Sequence, residues 1–93
     1  MSKKDQLHKL LEDGTRFRYN LKDSKDSDFA VWKTKLFVQI ARLFKEDSVE
    51  FRQIDAINLK NRSMSSDIGE VKKAIQEALY VLQALYDLEE DSQ

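Results

Sequence analysis

His8 is the only histidine in the chain, set between Leu7 and Lys9. Nucleophilic and acid–base catalysis need a tuned base held against its partner, and a lone histidine on a basic stretch reads as a surface residue. No serine sits in the glycine elbow that presents a nucleophile. Cysteine is absent, which removes thiolate chemistry, thiolate metal ligands and any disulfide framework. A single histidine leaves no histidine pair for a metal. The two glycines, Gly14 and Gly69, are too few for a phosphate-cradling loop. The expectation is a non-enzymatic protein with no cofactor.

Binding chemistry has more to work with. Arg16, Arg18, Tyr19, Lys22 and Lys25 interleave bases with an aromatic, the mixture that phosphate and base-stacking contacts require. Against nucleic acid stands the overall balance, with 16 basic and 17 acidic residues giving a formal charge of −1. A small nucleic-acid-associated regulator is therefore the alternative reading, not the first. The terminal Asp87-Leu88-Glu89-Glu90-Asp91 offers a third, an inhibitor or antitoxin-like protein whose acidic tail mimics a polyanion.

The elements that must position these groups are helices. The chain has 93 residues, 41% of them hydrophobic and 35% charged, which describes one domain, residues 1–93, around a single core. Proline is absent and turn residues are too sparse for a sandwich or barrel, so the fold is all-α. No stretch is long and apolar enough for a membrane span, and residues 1–6 lack the apolar run of a secretory signal, so a cytoplasmic protein is expected.

Leu7, Leu10, Leu11, Gly14, Phe17 and Leu21 recur three and four apart, predicting a helix from Ser2 to Tyr19. Gly14 inside it implies either a close helix–helix approach or a bend. After a charged loop over 22–28, Asp26 or Ser27 caps a second helix whose apolar arc holds Phe29, Trp32, Leu36, Phe37, Ile40, Leu43 and Phe44. Lys35, Gln39 and Arg42 form its wet side. Ser48 opens a short third helix, 58–65 reads as the longest loop, and a last helix starts near Ser66 or Asp67. Its arc, through Ile68, Val71, Ile75, Ala78, Leu82 and Leu85, also covers half the circumference. The architecture expected is a compact bundle of three long helices plus one short one.

Charge is segregated along the chain. Residues 1–25 carry a net +3 and residues 61–93 a net −4, so the first helix should lie beside the last, or two copies should pair with ends crossed. Two half-circumference apolar arcs are more than a bundle this small should cover, which points to a homodimer or other protein partner through the second or last helix. Trp32, Phe37, Leu79, Leu82 and Tyr86 are the expected interface residues, with tryptophan and tyrosine favoured at such positions.

Trp32-Lys33-Thr34-Lys35, Phe44, Asp47-Ser48 and Phe51, followed by a closing helix from Ile75 to Leu88, form a recognisable series. It resembles the small helical accessory domains that precede TIR-like and other effector domains in bacterial antiphage proteins. Lys45 stands where that family often has a glycine. The resemblance implies a bacterial or phage adaptor that acts by interaction, and it transfers no catalytic residues.

Overall fold

The computed structural model describes residues 2–23 and 25–89. Five helical segments follow one another: α1 (Lys3–Asn20), α2 (Ser27–Phe44), α3 (Val49–Ala56), α4 (Leu59–Arg62) and α5 (Ile68–Leu88). Small polar side chains start four of them by accepting otherwise unpaired first-turn N–H groups. Ser2 accepts from Asp5, Asp26 from Asp28 and Phe29, Ser48 from Phe51, and Asp67 from Gly69. The three long helices and their all-α packing are as the periodicity predicts. Ser24 of the first loop and Glu90 and Asp91 of the acidic tail lie outside the described residues.

α1 packs antiparallel along α5, the most extensive helix pairing in the fold. Near one end the Lys4 ammonium sits 4.8 Å from the Tyr86 ring centre, and the His8 ring lies 5.8 Å from the same ring. α2 returns antiparallel to α1, with Lys3 near Phe44 at one end and Phe17 against Phe29 at the other. The three helices meet at Gly14. A Cβ there would stand 2.5 Å from Trp32 Cζ2 and 2.8 Å from Leu79 Cδ2, both well inside contact distance. Gly14 therefore serves a close approach rather than a bend. Its missing side chain is the space the indole fills, and Trp32 Nε1 donates to the Leu10 carbonyl at 3.1 Å. Burying an indole N–H without a partner would be unfavourable, so this bond fixes which edge of the ring faces α1.

The segment 58–65 is not the open loop expected of it. Leu59 is its one strong apolar anchor and lies buried in the core, while Leu59–Arg62 forms a single helical turn. Asn58 makes the reversal between α3 and α4 with φ 56 and ψ 43, a left-handed conformation that asparagine tolerates. Arg62 then ties the turn to α5, paired with Glu77 and 4.0 Å from Glu70. α3 and α4 together form a bent short limb. It packs between the lower flanks of α2 and α5, where α3 contacts both helices and α4 contacts α5.

Lys45 ends α2 with φ 74 and ψ 153, a backbone region that any side chain strains and glycine does not. Lys45→Gly is expected to raise stability by about 1 kcal/mol, read as a higher urea midpoint. Gly14→Ala should do the opposite. In an exposed helix this change gains about 1 kcal/mol, but here overpacking against Trp32 and Leu79 should lower stability by about 1–3 kcal/mol. A raised midpoint for Gly14→Ala would show that the three helices do not close on this residue.

Candidate functional site

The side chains with chemical potential do not converge. Arg16 and Arg18 are two positions apart on α1, about 200° around the helix, and so face opposite ways. Arg16 bonds Asp13 at 3.2 Å and lines a groove between α1 and α2, whereas Arg18 stacks on Tyr19 at 5.3 Å. Lys22 and Lys25 are exposed in the following turn. Arg16 and Arg18 thus do not share one phosphate-tracking surface. His8 is exposed and paired with Glu12 on its own helix.

One nucleophile–base pair does come together, and the sequence analysis missed it. Lys33 Nζ donates to Ser63 Oγ at 2.8 Å, and Ser63 Oγ donates to the Lys60 carbonyl at 3.0 Å. A lysine against a serine hydroxyl is an arrangement that can activate the serine. Here Ser63 is only 1% exposed and its proton is committed to a carbonyl, so no substrate can reach it. The pair works as a clamp, holding α4 against α2. The Lys33 ammonium also lies 4.8 Å from the Phe29 ring centre, and its partial burial lowers its pKa below the ordinary 10.5. In the sequence, Lys33 falls inside the apolar arc of α2, a place where a lysine stem covers apolar surface, and nothing there points to Ser63.

The expected interface also needs correction. Trp32, Leu79 and Leu82 are buried within the single chain, with Trp32 reaching solvent only at the bottom of a narrow groove, so none of them offers a face for another molecule to pack on. Each wide apolar arc has two neighbours rather than one. α2 is flanked by α1 and α3, and α5 by α1 and the short limb, so most of each arc is consumed internally. Phe37 and Tyr86 are half-buried. Phe37 packs edge-on against Phe51 with ring centres 6.5 Å apart, and Tyr86 is taken up by Lys4 and His8.

What the fold leaves bare is the opposite side of α2. Val31 is 53% and Val38 42% exposed. Seven residues apart, they fall within about 20° of one another at the centre of the helix's outer face. One side of this apolar seam carries Asp28, Lys35 and Arg42, all exposed, and none of them makes an ion pair among the described residues. The other side carries Ser27, Ala30, Thr34 and Ala41, side chains small enough to let another backbone approach closely, with Phe37 beyond them. A groove of about 330 Å³, floored by Phe17 and Trp32, runs along the charged flank. A second, of about 410 Å³ and including Phe37 and Asp55, lies beside α3 and α4. α2 thus stands as a ridge between two depressions. The sequence signal was available: two valines seven apart, beside the face assigned to Lys35, Gln39 and Arg42.

Among the described residues no three His, Asp or Glu side chains gather closely enough to hold a metal ion. Among the described residues, no helix is long and apolar enough to cross a membrane. Comparison of the chain with models of known families, with curated proteins and with solved structures finds no match.

The Lys33 clamp makes a testable pH dependence. At neutral pH the lysine is charged both folded and unfolded, and the fold bears the full desolvation penalty. As pH rises through the lowered native pKa toward 10.5, the native state sheds its proton first and the penalty fades. The stability of the wild type relative to Lys33→Met should therefore be flat near neutrality and rise over that alkaline interval. Paired urea titrations across pH measure it; a difference that stays constant throughout would mean that Lys33 is fully solvated.

Proposed function

We propose that this chain is a non-enzymatic protein-interaction module that self-associates through the outer face of α2 and acts in the cytoplasm. The observation that carries the reading is the Val31–Val38 seam, two apolar side chains about half exposed at the centre of the outer face of a long helix. Single exposed apolar residues are ordinary on protein surfaces, and Val49, Met64 and Leu88 are of that kind. The valine pair differs because it repeats at the helical period of a packing seam, with β-branched side chains that suit two-stranded helix contacts.

A binding role rather than a catalytic one is supported by the commitment of Ser63 and Lys33 to holding α4 in place. A cysteine-free chain makes no demand for an oxidising compartment, in keeping with the cytoplasm. α2 is about 27 Å long at 18 residues. A contact along one such helix buries less than the ~800 Å² per partner of a standard interface, so the association is weak and concentration-dependent.

Sedimentation velocity from micromolar to millimolar protein tests this. The wild type should move from monomer toward dimer across the series. Val38→Asp, which alters only the exposed seam, should stay monomeric with an unchanged thermal midpoint. Tyr80→Asp, on the outer face of α5, should behave as wild type. A wild-type monomer at millimolar concentration would overturn the reading.

A further inference from the structure

The order of charges along the α2 seam specifies how two copies would meet, given the self-association proposed above. Asp28 lies in the first turn of α2, Lys35 at its middle and Arg42 in its last turn. All three lie on the same side of the valine seam. Asp28 and Arg42 are equally distant from Lys35, seven residues either way, which is about 10.5 Å along the axis. Val31 and Val38 are almost equally distant from it, at four and three residues.

Such spacing is self-complementary under a two-fold axis and under no parallel arrangement. With two α2 helices antiparallel and the axis beside Lys35, a residue at one height meets the residue at the mirrored height, and the charged flanks share one side. Asp28 of each copy then faces Arg42 of the other, and Val31 of each packs by Val38 of the other. Every favourable contact occurs twice, as an isologous interface requires. Among the charged residues only Lys35 meets its own equivalent, placing one like-charge contact at the axis. On the opposite side Thr34 meets Thr34, and the small Ala30 and Ala41 leave room for the backbones to approach. In parallel pairing the charged flank of one helix would instead lie beside Ala30 and Phe37 of the other, and neither the acid nor the bases would find a partner.

We infer that the chain forms an antiparallel α2–α2 homodimer whose axis passes beside Lys35 and whose orientation is set by two symmetric Asp28–Arg42 pairs. The side chains required are exposed and make no ion pair among the described residues, so the pairing asks for no rearrangement of the bundle.

Charge reversal separates this orientation from self-association in general. Asp28→Arg and Arg42→Asp, each alone, turn both attractive pairs repulsive and should weaken the dimer by about tenfold. The double variant Asp28→Arg/Arg42→Asp restores opposite charges and should return the dimerisation constant to within about threefold of wild type. Lys35→Gln removes the like-charge contact at the axis and should tighten the dimer a few-fold. Each constant comes from sedimentation equilibrium on the full chain. Thermal melts are run in parallel, because both single changes also oppose the α2 dipole; the double variant combines those folding penalties and still must recover assembly. A dimer that Val38→Asp breaks but that the double variant does not rescue would overturn the antiparallel orientation and leave self-association standing. A wild type that remains monomeric would overturn both.

Discussion

The indole of Trp32 lodged against Gly14 is the contact on which the bundle depends. It joins all three long helices at one point, since a Cβ on Gly14 would collide with Trp32 from α2 and with Leu79 from α5. The hydrogen bond from Trp32 Nε1 to the Leu10 carbonyl converts a packing contact into a directional one. Rings stack outward from it, with Phe29 nearly parallel at 6.2 Å and Phe17 tilted at 6.0 Å. This aromatic layer sits where α1 and α2 converge toward their connecting loop, and from there the antiparallel path of each helix is determined.

A short limb completes what three rods leave open. Three helices alone would leave one flank of α2 and one of α5 exposed, and the chain covers them with α3 and the single turn α4. Leu59 supplies the apolar anchor of that turn, Ser63 the buried hydroxyl that meets Lys33, and Arg62 the charge that meets α5. A four-residue helix has almost no stability of its own. It exists because tertiary contacts hold it from both sides, and this explains why a polar stretch with one leucine folds at all.

The same distinction separates what could be read from the residues from what could not. Ser48 and the acids at 26 and 67 announced their helices because a cap works through its nearest neighbours. Gly14 posed a choice between close approach and bend that only the partner helices could decide. α4 was illegible because its order comes from contacts distant in sequence, Lys33 to Ser63 across thirty positions. The interface residues Trp32, Leu79 and Leu82 were misplaced for a geometric reason: an arc of half a circumference looks excessive against one neighbour and is ordinary between two. Val31 and Val38 are hard to read for the opposite reason: two apolar residues beside Lys35 and Arg42 do not interrupt the polar pattern of that side.

The contact of Lys4 with Tyr86 has a consequence for the chain's connectivity. It places the start of α1 and the end of α5 side by side at one end of the molecule. Chain entry and exit that adjoin one another are the geometry that lets a folded unit be inserted into a loop of a host protein without stretching either. A few flexible residues joining Ser2 to Glu89 would likewise close the backbone into a ring, leaving the solvent-facing turn at Glu46 and Asp47 as the place to reopen it. The order of the helices along the polypeptide is, for this bundle, separable from their arrangement in space.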